Sequence, residues 1–329
     1  MAGRPPSRAS VIPEADIMEV DAIVDESWRL VTLAPEISTK IQTLEWLARR
    51  RLIKNEVLCA TCQQPVRLTA YVQGTDGYRW KCYRHNFTQS VRHGSFFTRS
   101  HLGLDKLVQL LYMWAMDFQQ DQIMVELAIH ENSRHTAIDW CNFIREVCEE
   151  YLERNPQTLG GFHDDGTGII VEIDESKYFH RKYHRGQWRP GHWVFGAIER
   201  HTGRCIMVEV PSRDQATLTP IIQEWILPGS RIVSDGLAAY RGIDQIQGGV
   251  YEHDVVVHQR NFVDPDDPNI HTQNIENTWM RAKKKLRRQH GTTAQLFQSY
   301  LAEFLWRNRV RNNRFGGIMA AIIQIYPLN

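Results

Sequence analysis

The sequence contains no apolar run near the ~20 residues that a membrane-spanning helix needs. The stretch Leu107–Met116 comes nearest and is interrupted by Gln109, which argues against a membrane protein. Cysteine is scarce, with six among 329 residues. That is too few for a disulfide scaffold and fits a reduced, intracellular compartment. The first ten residues, MAGRPPSRAS, lack the apolar core of a secretory signal. There is no internal repeat and no low-complexity tract, which excludes a solenoid. Neither sign of charge dominates, since 39 Lys and Arg face 38 Asp and Glu for a formal net charge of +1. Overall basicity therefore gives no argument for nucleic acid, and charge has to be read locally. With 42% hydrophobic and 10% aromatic residues, the chain has apolar material for two or three compact domains.

Four segments can be read along the chain. Residues 1–55 are a loose lead-in followed by a packing helix, in which Pro35 opens a pattern of Ile37, Ile41, Leu44 and Leu47 that Arg49, Arg50 and Arg51 close. Residues 56–93 change to short β-like pieces around Cys59, Cys62, Cys82 and His85. Residues 94–154 are helical: a buried helix over Leu102–Phe118, then Gln122–Ile129 and Ser133–Arg154 across a tight turn, with Ser133 suited to the N-cap. Such a pair, with Arg134, His135 and Thr136 opening the second helix, fits a DNA-binding helix-turn-helix, although ordinary helical hairpins share the pattern. After the loop Asn155–Gly168, residues 155–329 alternate between strands and helices. Strands are expected at Ile169–Asp174, Trp193–Glu199, Cys205–Val210, Arg231–Ser234 and near Val255–Val257. Helices are expected at Gln215–Trp225, Thr272–Gln289 and Ala294–Asn312, giving an α/β fold with helices packed on a mixed sheet.

Cys59-x2-Cys62, followed after 19 residues by Cys82-x2-His85, has the two-knuckle spacing of a zinc ribbon. Each knuckle brings two ligands together on a tight turn, and the hairpin between them closes a tetrahedron. The expectation is a structural Zn²⁺ held by Cys59, Cys62, Cys82 and His85. Cys141, Cys148 and Cys205 lack such partners and read as small core residues.

A second constellation is acidic. Asp174 ends the strand Ile169–Asp174, opposite in alternation to Ile169, Val171 and Ile173, and Asp235 follows the apolar strand Arg231–Ser234. Strand ends are where α/β sheets gather ligands. Glu276 lies on a helix, and Lys283, seven residues later, shares its face about 10 Å further along the axis. Three carboxylates are what two Mg²⁺ or Mn²⁺ ions need to clamp the attacking and leaving oxygens of a phosphoryl displacement. Taken singly, each acid reads as a turn, cap or ion-pair residue.

Several motifs in order carry a resemblance. VEIDESK (171–177), RKYHRG (181–186), GHWVFG (191–196), VPSRD (210–214), SDGLAAY (234–240) and HTQNIENTWMRAK (271–283) resemble the catalytic domain of Merlin-type DDE transposases and their bacterial insertion-sequence relatives, over roughly residues 165–315. The cysteine segment and SVRHGSFF (90–97) resemble that family's amino-terminal half. The resemblance implies an RNase H-like fold with Asp174, Asp235 and Glu276 as the metal-binding triad. It places Lys283 at the basic position after the third acid and makes His271 an accessory group, near the scissile phosphate or capping its helix. Bacterial relatives commonly end the second knuckle with Cys where this chain has His85. Of the neighbouring acids, Glu175 reads as structural and Glu172 shares the face of Asp174.

Charge supports the same reading. Lys177, Arg181, Lys182, Arg185 and Arg189 meet no acid between 177 and 198, while ten Lys and Arg meet only Glu303 between 277 and 314. These two segments carry +14 and the rest of the chain −13. Basic runs flanking the acids favour a DNA backbone channel, with Lys177, Arg181, Lys182, Arg185, Lys283 and Arg287 as its contacts. The expectation is a cut-and-paste DNA transposase acting on transposon ends and target DNA as a homo-oligomer. The alternatives are a domesticated DNA-binding derivative and an RNase H-like nuclease that does not join strands. Such a protein works in the nucleus of a eukaryotic host and otherwise in the cytoplasm; RAKKKLRR (281–288) could double as a nuclear signal.

Overall fold

The structure, a computed structural model, describes residues 8–98, 100–179, 191–256, 270–288 and 293–328. The chain divides into two compact units, residues 1–151 with 310–329 and residues 152–309.

The first unit opens with three helices: α1 (Val20–Asp25), α2 (Leu30–Glu36) and α3 (Lys40–Arg49). Pro35 lies inside the last turn of α2 and does not open the next helix. That start belongs to Thr39, whose side chain accepts from Gln42 N while the Gln42 side chain accepts from Thr39 N. This reciprocal capping box ends one helix and begins another where periodicity alone suggests a single element. Three short strands, β1 (Arg67–Ala70), β2 (Tyr78–Lys81) and β3 (Thr88–Ser90), form an antiparallel sheet in that order. Helices α4 (Leu104–Ala115), α5 (Gln120–Glu126) and α6 (Arg134–Arg154) follow. Ser133 does not cap α6; it belongs to a 3-10 turn, Glu131–Ser133, that leads directly into it.

The final helix, α10 (Arg314–Ile325), packs in this first unit, although the sequence expectation assigns residues 155–329 to one domain. Phe315 stacks on Trp46 with ring centroids 6.1 Å apart, and Asn313 Nδ2 donates to Val24 O at 2.6 Å. A Cβ at Gly316 would lie 2.7 Å from Val24 O, so the helix start reaches the α1 backbone only because that residue is glycine.

The second unit is built on β5 (Ile170–Tyr178), β6 (His192–Glu199), β7 (Cys205–Val210), β9 (Arg231–Asp235) and β10 (Glu252–Val256). A two-residue pair, β4 (Leu159–Gly160) with β8 (Ile226–Leu227), lies outside this sheet. The sheet order is β10-β9-β5-β6-β7. β5, β6 and β7 are antiparallel, and β9 and β10 run parallel to β5. This mixed five-stranded arrangement is that of an RNase H-like fold. Val257, expected in the last strand, lies outside the described residues.

Alternation sorts the two faces. Val171 and Ile173 join Phe195, Ala197 and Ile232 in a core that α7 (Gln215–Trp225) covers with Leu218 and Ile222. Tyr178, Val194, Ile198 and Met207 join the opposite core, covered by Ile275, Trp279 and Leu286 of α8 (Gln273–Arg288) and by Phe297 and Leu301 of α9 (Ala294–Arg309). Fully burying an aliphatic or aromatic side chain of this size is worth about 1.5–3 kcal/mol, so each face holds its helices firmly.

Candidate active site and cysteine-histidine cluster

In the first unit, Cys59 and Cys62 precede β1, and Cys82 and His85 sit between β2 and β3. One ligand atom from each of the four lies within 4.8 Å of the others. Cys59 Sγ and Cys82 Sγ are each 3.7 Å from His85 Nδ1, and Cys62 Sγ is 4.0 Å from Cys82 Sγ. A Zn–S bond of about 2.3 Å gives tetrahedral sulfur–sulfur edges near ~3.8 Å, so these four donors fit one zinc-sized cation. Burial opposes ionisation of the Cys59 thiol. Hydrogen bonds from the backbones of Cys62 and Thr61 and from the thiols of Cys82 and Cys62 outweigh it and lower its pKa to about 6. A thiol that ionises near neutrality is a ready metal ligand.

In the second unit, the parallel register pairs Ile170 with Arg231, Val171 with Ile232 and Glu172 with Val233. The pairing stops there, but Asp174 and Asp235 each lie two residues further along, and the charge of Asp235 is felt at Asp174. β5 and α8 match step for step. Glu172 Oε2 accepts from the backbone N–H groups of Asn274 at 2.8 Å and Ile275 at 3.0 Å. Asp174 Oδ2 accepts from Trp279 Nε1 at 2.9 Å. Ser176 Oγ accepts from Lys283 Nζ. Two strand residues rise ~6.7 Å and four helical residues ~6 Å, so contacts at 172, 174 and 176 meet 274–275, 279 and 283 in phase.

The close approach of α8 requires Gly196, which pairs with Asp174 in the β5–β6 register. A Cβ there would lie 2.5 Å from two atoms of the Trp279 ring. Glu172 is wholly buried and also accepts from Arg200 Nε at 2.9 Å. It anchors the positive end of α8 from the neighbouring strand.

Asp235 Oδ1 accepts from Leu237 N at 3.0 Å in the turn that follows β9. Glu276 is exposed in the first turn of α8 and accepts from Thr272 Oγ1 at 3.2 Å. Asp174 lies within electrostatic reach of both Asp235 and Glu276. Burial first, then the charge of Asp235 and more weakly that of Glu276, raise the Asp174 pKa to about 6, against hydrogen bonds from the Glu175 backbone and Trp279. Asp174 does not end its strand as the sequence pattern suggests, because β6 pairs with β5 as far as Tyr178. Carboxylates pressing on one another are what a hard divalent cation relieves, and all the donors are oxygen, so the residues fit Mg²⁺ or Mn²⁺.

Glu175 occupies the opposite face. Its Oε2 is 3.8 Å from Arg213 Nη1, while its buried Oε1 has no hydrogen-bond partner among the described residues. Burial, Asp174 and Asp235 raise its pKa to about 8, and Arg213 opposes them. His271 Nδ1 lies 3.5 Å from Glu172 Oε1 and accepts from Gln273 N at 3.4 Å. Burial first, and then Arg200, hold its pKa below the ordinary value, against the charges of Glu172 and Glu276. These contacts fit a residue that organises the start of α8.

Among the expected DNA contacts, Lys177 Nζ lies 5.2 Å from the Trp193 ring centroid, and Lys283 sits 5.2 Å from that of Tyr178. Arg287 is exposed in the last turn of α8. Arg181, Lys182 and Arg185 lie outside the described residues. Two members of the basic run turn inward: Lys285 Nζ lies 3.0 Å and Arg307 Nε 2.8 Å from the buried Glu303. Sequence reading alone does not find Trp279, Gly196 or Arg213. The spacing of Ile275, Trp279 and Lys283 was visible, but no sequence pattern says which strand residues it meets.

Residues 162–309 match the family described as ISXO2-like transposase domain. A transposase-like protein of Haemophilus influenzae, described as uncharacterized, is 31% identical over 100 residues, covering 30% of this chain and 76% of that protein. The chain belongs to the ISXO2-like transposases. The matched span of this ISXO2-like transposase runs from the loop before β5 to the last residue of α9 and contains Asp174, Asp235 and Glu276. A chain of the simian T-cell lymphotropic virus intasome, solved in complex with PP2A regulatory subunit B56 gamma, is 14% identical. That likeness covers 61% of this chain and 67% of the viral-complex chain with a TM-score of 0.28. Among the described residues, no helix of the transposase is long and apolar enough to cross a membrane.

Proposed function

We propose that this chain is a cut-and-paste DNA transposase of the Merlin-like kind, in which Asp174, Asp235 and Glu276 hold two divalent cations and act on the phosphodiesters at transposon ends. The observation that supports this reading is the set of three carboxylates on the middle of β5, the end of β9 and the start of α8, in a domain of a DDE family. Two bound cations would supply Lewis-acid stabilisation to the attacking and leaving oxygens of an in-line displacement. The chain's own residues do the rest. Trp279 orients Asp174, the Leu237 N–H orients Asp235, and Thr272 steadies Glu276. Lys283, held over Tyr178 beside Ser176, offers a positive charge to the strand being cut, and Arg287 extends that charge along α8. Because both hydrolysis and strand transfer are displacements at phosphorus by an oxygen nucleophile, one centre serves both and no covalent enzyme intermediate is needed.

In the first unit, Cys59, Cys62, Cys82 and His85 would hold a structural Zn²⁺. That ribbon, with α5 and α6, would recognise the transposon ends, and two ends brought together imply a dimer or larger assembly. The decisive experiment is strand transfer in vitro with Mg²⁺, using DNA that flanks the reading frame. Wild type is expected to cleave and join, and Asp174→Asn to bind ends without cleaving. Cleavage without joining would leave a nuclease, and cleavage by Asp174→Asn would overturn the assignment of the acids.

A further inference from the structure

On the face of the sheet opposite α8, Trp193 of β6 collects two cations. The Arg213 guanidinium carbon lies 3.9 Å from the indole centroid, and Lys177 Nζ lies 5.2 Å from it. Lys177 pairs with Trp193 in the β5–β6 register. Arg213 comes from the turn between β7 and α7. Its neighbours are fixed: Asp214 caps α7 by accepting from Thr217 N at 2.8 Å, and Ser212 Oγ bonds both Asp214 and Thr217 Oγ1.

A structural role would make Arg213 the counter-ion of buried Glu175. The geometry suits that role poorly. The closest approach is 3.8 Å, outside hydrogen-bonding range, and Glu175 Oε1 remains without a partner among the described residues. An arginine present to satisfy that carboxylate would meet it in a two-point fork. Here the guanidinium is held at close range by the indole, and no hydrogen bond engages its N–H donors among the described residues. Its side chain is 41% exposed. A planar donor set held in place loses little freedom on binding a tetrahedral anion. Glu175 directly follows Asp174 in the middle of β5, so Arg213 stands close to the first acid but on the opposite face of the sheet.

We propose that Arg213, positioned by Trp193, binds a backbone phosphate of the DNA next to the carboxylate centre, with Lys177 beside it as a second phosphate contact. This inference rests on the reading of the chain as a DNA transposase and adds phosphate contacts on the α7 face of the sheet, the face opposite Lys283 and Arg287.

The test measures binding of the full-length, zinc-loaded protein to a 40-base-pair duplex taken from DNA flanking the reading frame, in Mg²⁺-free buffer across a range of salt. Arg213→Gln is expected to weaken binding about tenfold and to reduce the slope of log K against log salt by about 0.9, the signature of one lost phosphate contact. Arg213→Lys should restore the slope, because charge is retained. Trp193→Leu should weaken binding with the slope intact, and Trp193→Phe should recover most of the loss. Thermal melting of each variant separates misfolding from lost contact. An Arg213→Gln protein that melts like wild type and keeps both its affinity and its slope overturns the proposal. If Arg213→Gln fails to fold, Trp193→Leu decides: weaker binding by a protein that melts like wild type supports the positioned phosphate contact, and unchanged affinity overturns it. Failure of wild type to bind the duplex at all would instead remove the transposase reading.

Discussion

The Trp279 indole N–H donates a 2.9 Å hydrogen bond to Asp174 Oδ2, joining the helix that carries Glu276 to the strand that carries the first acid. One contact thus sets the spacing between two of the three carboxylates. It exists only because Gly196, beside Asp174 on β6, leaves room for the ring.

Replacing either partner of that packing tests its importance. Gly196→Ala forces the indole to shift and is expected to cost ~1–3 kcal/mol of stability, with end cleavage falling at least about tenfold. Trp279→Phe keeps most of the ring volume and removes the donor. Asp174 then loses a bond that favours its charged form, so the acidic limb of the cleavage pH profile should move to higher pH. A Trp279→Phe enzyme with an unchanged profile would show that the indole serves packing alone.

Stability in the absence of divalent metal should depend on pH in an unusual direction. The Asp174 pKa rises from 3.8 to about 6 on folding, through burial and then Asp235. Folding therefore takes up protons at this group. Its stabilising contribution is complete below about pH 4 and is lost as pH rises through 6. Urea midpoints of zinc-loaded, Mg²⁺-free protein should fall more steeply between pH 5 and 7 for wild type than for Asp174→Asn, and added Mg²⁺ should narrow that difference. Parallel curves for the two proteins would falsify the link between repulsion at the acids and stability.

Glu172 should behave as an anchor of the fold. Its carboxylate joins Arg200, the Asn274 side chain and two backbone N–H groups of α8. Glu172→Ala leaves all of them without their buried partner and is expected to cost ~3–5 kcal/mol. Glu172→Gln retains one acceptor and should cost less. Equilibrium urea unfolding reads both, and a loss below ~1 kcal/mol for Glu172→Ala would show that water replaces the carboxylate.

The Cys59, Cys62, Cys82 and His85 cluster should bind one zinc per chain. Metal analysis of protein purified without chelator is expected to give about one equivalent, falling to near zero in Cys59→Ser and persisting in His85→Cys, which completes a four-thiolate set. Less than half an equivalent in wild type counts against the site. Removing the metal should unfold the β1–β3 ribbon first, because three short strands have little core of their own.

Much of the second unit was legible in the sequence. β7 and α7 have the bounds their patterns predict, β9 runs one residue further, to Asp235, and α8 starts one residue later, at Gln273, with Gln289 outside the described residues. These elements pair strong periodicity with clear punctuation, such as the Asp214 cap before α7. β5 was harder. Its second half, Glu175–Tyr178, mixes charged and aromatic residues, and it remains a strand because β6 pairs with it through His192. α10 was invisible for a related reason. Its RFGG start reads as a helix breaker, yet Gly316 is what lets the helix reach the α1 backbone.

Net charge shows the same division. The formal value of +1 averages basic segments near the acids against an acidic remainder, and that contrast is local enough to read from sequence. Sequence could not show that Lys285 and Arg307 are folded onto Glu303, or that Arg213 lies on Trp193.

The sequence by itself determined most element types of the second unit, the face on which each residue of those strands and helices lies, and the spacing of the two candidate ligand sets, because periodicity and ligand spacing are properties of neighbouring residues. Tertiary structure alone decided which faces meet. The β5–β9 pairing brings Asp174 within reach of the charge of Asp235, Gly196 admits Trp279, and α10 joins the first unit. Each of these depends on packing between segments distant in the chain, where a single Cβ or one residue of register changes the outcome.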